Sequence, residues 1–296
     1  MTLLLSFVPE FLVIAALLLV ERAGPRTDWW RNLQIWALQL TVALTILPLL
    51  RGWVGPALIE GAHLPFWQGF LLFLLLKDLA EFVFHLAQHR IPFLWAMHSL
   101  HHSDPEMAVL TTQRHFWGDQ LVKQMTVWSV VLMILSPTPA IAFAYGIASL
   151  WNLFAHLDAP IDFGRWSWLL NSPAYHRRHH SRLPEHYDTN FAGIFPIFDV
   201  ICGTYRRPDG FPPTGMARKP ESLWQAVIWP MIWDRPQSAP IIAPATATAN
   251  AIPAAPVAIA ASGGGNANRA PRRAPLARSA HRPDHPSTAA PPPPPA

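Results

Sequence analysis

Eleven of the 14 histidines in this 296-residue chain fall between residues 85 and 186, and their spacing restricts how the chain can fold. His85-Leu-Ala-Gln-His89 sets two imidazoles at i and i+4, on one face of a helix. His98-Ser-Leu-His101-His102 and His176-Arg-Arg-His179-His180 repeat an i, i+3, i+4 pattern, which on helical backbone is expected to gather three ring nitrogens toward a common point. Eight imidazoles packed together without a cation would leave many nitrogens in need of partners, and protonating them would add mutual repulsion. Metal ligation resolves both problems, and eight ligands exceed what one tetrahedral zinc uses, so two metals are implied. Cys202 is the only cysteine, which excludes an intramolecular disulfide and leaves metal binding to other residues.

The surroundings of these histidines are apolar. Hydrophobic residues make up 51% of the chain and charged ones 14%, unlike an ordinary soluble globule. Residues 3–20 and 33–50 are nearly uncharged runs close to the ~20 residues that cross a bilayer core. A third run, 66–86, carries Lys77, Asp78 and Glu81 in its second half, and 121–135 and 140–157 flank Ser136-Pro137-Thr138-Pro139 as a helical hairpin. This patterning predicts an all-α integral membrane protein of about four transmembrane helices: two spans, a third, and the hairpin, with a cytosolic helical cap carrying the histidines. Arg22, Arg26 and Arg31 in the first loop, against Arg51 alone in the second, place the first loop and then the histidines in the cytoplasm, at an inner or plasma membrane. Residues 221–233 read as a short amphipathic helix. The expected divisions are therefore 1–65, an N-terminal membrane region; 66–234, the catalytic region; and 235–296, a disordered Pro/Ala-rich basic tail.

The net charge of +4 does not point to nucleic acid. Six arginines and one aspartate follow residue 234, so the tail carries +5 and the rest of the chain −1. The body lacks the basic stripe with interleaved aromatics that a nucleic-acid surface needs.

With its boxes spaced in this way, the sequence resembles the fatty acid hydroxylase and sterol desaturase superfamily from about Phe66 to Arg206. The agreement extends to His102-Ser103-Asp104, Thr111-Thr112 with Arg114, Ser172-Pro173-Ala174-Tyr175, Asp188-Thr-Asn190-Phe191, and Phe198-Asp199 leading to Gly203-Thr204-Tyr205. The resemblance implies a non-haem di-iron centre of two Fe ions and O2 as co-substrate. It further implies hydroxylation or desaturation of a lipid drawn from the bilayer, with electrons from an external donor of ferredoxin, cytochrome or reductase type. It also points to Asn152-Leu-Phe-Ala-His156, making His156 a ninth metal ligand beside His85, His89, His98, His101, His102, His176, His179 and His180. Asn152 stands where relatives often have histidine; it binds metal, holds a metal-bound water, or bridges helices. Arg114-His115-Phe116-Trp117 departs from the commoner Arg-x-His-Pro, and His115 is left outside the ligand set. Asp78 and Glu81, one or two turns before His85, either accept the far N–H of a ligating imidazole or pair with Lys77. Asp188 and Asn190 either orient the third box or shape a turn. His63 and His186 have no box partner and read as surface residues.

Two other functions use the same residues. A zinc-dependent lipid hydrolase would keep the ligands but needs open positions that so many histidines leave scarce. A metal-ion transporter or sensor would place ionisable groups near mid-membrane, whereas these boxes cluster at one end of the apolar runs.

Overall fold

The computed structural model describes residues 14–17, 21, 28–46, 49 and 55–233. Helices dominate: α1 (Trp29–Thr45), α2 (Phe66–Arg90), α3 (Pro92–His102), α4 (Trp117–Lys123), α5 (Ser129–Ile134), α6 (Pro139–Ala155), α7 (Pro173–His179), α8 (Ile197–Cys202), α9 (Leu223–Val227) and α10 (Trp229–Ile232). Among the described residues there is no strand, only isolated bridges at Ile59–Leu135 and Ser181–Thr214.

Local sequence chemistry starts the helices that matter. Thr138 and Ser172 accept hydrogen bonds from Ile141 N and Tyr175 N, each at 3.3 Å, and a proline follows each cap at the first helical position of α6 and α7. Pro92 opens α3 in the same position. α2 packs along α6 and α3, and Phe73, Leu74, Val131, Leu135, Ile141, Ala144 and Ala148 form the core between α2, α5 and α6. A second core joins Ile35 of α1 to Met97, Leu100, Phe116, Ala226 and Trp229. The 221–233 segment breaks into α9 and α10, and Trp229 Nε1 donates to Ser99 Oγ (2.9 Å), so one face of that segment belongs to the interior.

The four-span architecture expected from the apolar runs does not form: among the described residues no helix is long and apolar enough to cross a membrane. The run 33–50 yields the 17-residue α1, about 25 Å long against a hydrocarbon core of about 30 Å. α2 has the length, with 25 residues, but Lys77, Asp78 and Glu81 interrupt its apolar character and are used inside the protein. The first arm of the hairpin is α4, a π-helical turn at Gln124–Trp128 and the six-residue α5, and its second arm, α6, has 17 residues. Most of the run 3–20 lies outside the described residues, as does the 235–296 tail. The cytoplasmic sidedness counted from those spans loses its basis with them. What α2 does present outward is an i, i+4 ridge of Trp67, Leu71, Leu75, Leu79 and Val83, each at least 42% exposed.

Candidate metal centre

Four elements deliver the nine histidines to one place: the last turns of α2, the C-terminal half of α3, the residue capping α6, and α7 with its cap. They separate into two groups, within each of which one ring nitrogen per residue lies within 4.8 Å of the others. His85, His89, His98, His102 and His179 form the first; His101, His156, His176 and His180 form the second. Neither three-histidine box gathers at a single point, contrary to the expectation from spacing. At about 100° per residue, positions i and i+4 sit about 40° apart while i+3 falls about 60° to the other side. His98 and His102 therefore go to one group and His101 to the other, and His176 and His180 part from His179 in the same way.

Within the first group His85 Nε2 lies 3.0 Å from His98 Nε2, and His102 Nε2 lies 3.2 Å from both His89 Nε2 and His98 Nε2. In the second, His156 Nε2 is 3.1 Å from His101 Nε2 and from His176 Nε2. Outer hydrogen bonds assign the tautomers. The Nδ1–H of His85 donates to Phe191 O (2.7 Å), that of His179 to Thr189 O (2.8 Å) and that of His156 to Asn152 O (2.8 Å), while His89 Nδ1 faces Asp188 Oδ1 at 3.3 Å. Each leaves an Nε2 lone pair directed inward, the arrangement of a metal-ligating imidazole.

Burial, with the neighbouring imidazoles adding to it, holds all nine far below the usual histidine pKa. His85 is pushed down to about 3, and His156 to about 4 by burial against the opposing pull of its bond to Asn152. They are neutral at pH 7. Inward Nε2 atoms crowd one another at 3.0–3.2 Å, and Nε2 of His179 and His180 are buried with no hydrogen-bond partner, a costly arrangement that two cations among these neutral donors would relieve. The donor set therefore fits two metal ions.

The loop after α7 is built to aim its carbonyls. Asp188 and Asn190 adopt left-handed backbone (φ 55° and 62°), and the Asn190 side chain clamps Tyr175 O, Arg206 O and Arg206 N. Buried Asp199 accepts from Phe191 N and Ala192 N (both 2.8 Å), Tyr175 Oη (2.5 Å) and Thr204 Oγ1 (2.6 Å). Burial still leaves its carboxyl pKa raised. Asp78 accepts from Ile194 N and Phe195 N; its carboxylate rises to about 6 through burial, and a Cβ at Gly193 would lie 2.9 Å from its Oδ1, so only glycine admits the contact. Asp78 thus holds the loop rather than an imidazole. Glu81 pairs with Lys77 (2.5 Å) and Lys123 (3.2 Å); burial opposes ionisation, but the two lysines outweigh it and bring its pKa down to about 2.

The second box is anchored from behind. Fully buried Arg114 donates to Leu100 O, Ser103 Oγ and Asn32 Oδ1, while Asp104 accepts from Asn32 and Thr111, tying the end of α3 to α1. Asn152 contributes to His156 through its main-chain carbonyl, and its side chain lines a cavity beside both groups. His115 stacks on His101 with ring centroids 4.2 Å apart, and its Nδ1 lies 3.5 Å from Asp119 Oδ2; together with His98 these form a third cation-competent set. His186 is buried beside the Arg178–Asp209 ion pair, not on the surface, whereas His63 is exposed. The sequence reading gave no role to Asp199, Lys123 or the Thr189 and Phe191 carbonyls. For the carbonyls no side-chain signal exists, because main-chain acceptors leave none.

Residues 70–204, the span that carries all nine histidines, match the fatty acid hydroxylase family. The match takes in a little under half of the chain and supports membership of that family. It is 30% identical over 139 residues to an alkylglycerol monooxygenase of Xenopus tropicalis, covering 47% of this chain and 30% of that protein. An ornithine lipid hydroxylase of Rhizobium tropici is 27% identical (52% of this chain, 48% of that one), and a cholesterol 25-hydroxylase of Mus musculus 30% identical (46% of each). The chain spans less than half the length of these relatives. No solved structure matches it significantly.

Proposed function

We propose that this chain is an O2-dependent lipid monooxygenase whose nine clustered histidines hold two iron ions. The observation that carries the reading is the division of nine neutral imidazoles, seven of them buried and two half-buried, into groups of five and four over residues that match a fatty acid hydroxylase domain. The relatives' names, alkylglycerol, ornithine lipid and cholesterol oxygenases, support a lipid as substrate. Bound iron supplies the oxidising power to replace a C–H bond by C–OH, one oxygen atom entering the lipid and the other leaving as water with two electrons and two protons. The protein fixes the imidazole tautomers through the 188–191 loop and Asn152 O, and walls the adjacent cavity with Phe84 and Phe191. The electrons come from a separate redox protein of ferredoxin, cytochrome or reductase type. Contact with a membrane uses the exposed ridge from Trp67 to Val83 on α2, an apolar patch of the kind that marks interaction surfaces.

Metal analysis of the purified chain, with lipid oxidation assayed in air and under anaerobic conditions with a reduced donor, tests the reading. Two irons per chain and oxidation that stops without O2 are expected. A zinc-loaded protein that hydrolyses lipid esters without O2 overturns it.

A further inference from the structure

The Trp95 ring packs against three imidazoles of the five-histidine group, its centroid 4.7 Å from that of His89, 5.3 Å from His102 and 6.3 Å from His98. Helical spacing puts it there: Trp95 precedes His98 by one turn and His102 by two, so it stands on the same stripe of α3 as those two ligands. On its other side Trp95 meets Trp233 edge-on, with centroids 6.2 Å apart and planes at 85°. Trp233 follows α10, which is fastened to α3 by the bond from Trp229 Nε1 to Ser99 Oγ, and its own N–H donates to Trp229 O at 2.9 Å. Both indoles are half-buried, and Trp233 sits at the margin of the core that holds Met97, Leu100 and Trp229. An unbroken line of rings thus leads from His89 and His102 through Trp95 to Trp233 and the protein surface.

The other aromatic neighbours differ in chemistry or in place. Phe191 also packs against His85, His89 and His179, with centroids at 5.5, 5.0 and 5.5 Å, but a benzene ring gives up an electron far less readily than an indole. Tyr175 and Tyr205 stack on each other at 6.2 Å, yet among the described residues no ring contact joins either to a histidine. An oxidising metal centre would therefore draw an electron from Trp95 first. A single indole would be left oxidised beside the ligands; a second one nearer the surface can refill it.

Resting on the oxygenase reading above, we propose that Trp95 and Trp233 carry single electrons from the protein surface into the five-histidine group. Trp95 gives one electron to the metal site after O2 has oxidised it, Trp233 gives one to Trp95, and the external one-electron redox protein refills Trp233. Each step moves one electron and leaves the indole proton on Nε1, so no bond forms or breaks along the path. When no lipid C–H is within reach, the same path quenches oxidising equivalents that would otherwise fall on the ligating imidazoles.

The path conducts in either direction, so it is tested first without O2. A flash-activated photo-oxidant in solution generates tryptophan radicals on the anaerobic whole chain, loaded with ferrous iron or with zinc, and transient absorption follows their decay. Ferrous iron should add a fast phase of decay that zinc, which has no electron to give, does not. Trp95→Phe, which keeps a ring against the imidazoles, and Trp233→Phe should lose the fast phase with metal content unchanged. Trp95→Tyr should restore part of it, and Trp224→Phe, at an exposed indole of α9, should keep all of it. In air without lipid, the ferrous Trp95→Phe chain should oxidise its ligating histidines faster than wild type, by mass spectrometry. A fast phase that survives in both Phe variants, its absence from wild type, or equal histidine oxidation in wild type and Trp95→Phe overturns the inference and leaves the oxygenase reading standing. A ferrous chain that consumes no O2 overturns the oxygenase reading instead, and the anaerobic flash experiment still decides whether the two indoles conduct.

Discussion

The two histidine groups sit side by side, with His102 and His180 stacked at 4.4 Å between them, yet they are held by different means. The five-histidine group contains the half-buried His85 and His89, and three of its imidazoles are steered by Phe191 O, Thr189 O and Asp188 from a single loop. The four-histidine group is buried throughout and takes its one described outer hydrogen bond from within α6, at Asn152 O, with His115 stacked on His101. One group is shaped by a loop that must itself be fixed, the other by helix ends and close packing. Damage to the loop should therefore fall on one group, and loss of packing on the other.

Adjacent residues give the sharpest break between them. His179 belongs to the first group and His180 to the second. Each single change to alanine should abolish tight binding of about one metal equivalent of the two, and the double change should lose both, by elemental analysis of the purified variants. Loss of both equivalents in each single variant would mean that the two groups act as one site.

The sequence made the convergence of the histidines legible, because i, i+3 and i+4 spacing is visible without a structure. The same helical arithmetic contains the partition into two groups, but using it requires knowing that the boxes face each other across two ions rather than surround one. The loop that steers the first group was less legible. Its acceptors are main-chain carbonyls, and Asp199 and Asp78 act on backbone N–H groups whose positions depend on tertiary packing. The membrane spans were misread for a related reason. Hydropathy records how apolar a run is, but not that α1 stops at 17 residues or that Lys77, Asp78 and Glu81 are used inside the protein.

Acid should strip both groups. A buried histidine with a depressed folded pKa binds fewer protons than its unfolded counterpart near 6.5, so its stability is complete above that pH and lost as pH falls toward the folded value. That window runs from about 6.5 down to about 4 for His156 and about 3 for His85. Each such histidine costs about 1.4 kcal/mol per pH unit inside its window. The metal-free protein should unfold steeply below pH 6.5, and metal should shift the transition to lower pH, as thermal melts across a pH series would record. A flat stability profile from pH 7 to 5 would contradict the burial of neutral imidazoles.

Asp199→Ala should act on the loop. It leaves Phe191 N, Ala192 N, Tyr175 Oη and Thr204 Oγ1 without their common acceptor, a loss of about 3 kcal/mol or more. Denaturant titration measures that loss. Metal titration of the folded fraction should show weakened binding at one site and normal binding at the other. Equal weakening of both would show that the loop supports the whole centre.

Asp188→Ala is the gentlest probe of the same asymmetry. Asp188 is more than half exposed, so its removal should change stability little. It does face His89 Nδ1, and a carboxylate in that position fixes the imidazole tautomer and strengthens its Nε2 as a donor. Outer partners of this kind typically contribute 10–100-fold in metal affinity. Solvent screening puts Asp188 at the low end, about tenfold, confined to the five-histidine group. Asp188→Asn, which keeps an acceptor oxygen but loses the charge, should recover part of that affinity by competitive metal titration. Recovery in Asp188→Asn would assign the effect to the hydrogen bond that orients His89. Equal loss in both variants would assign it to the carboxylate charge acting on the cation.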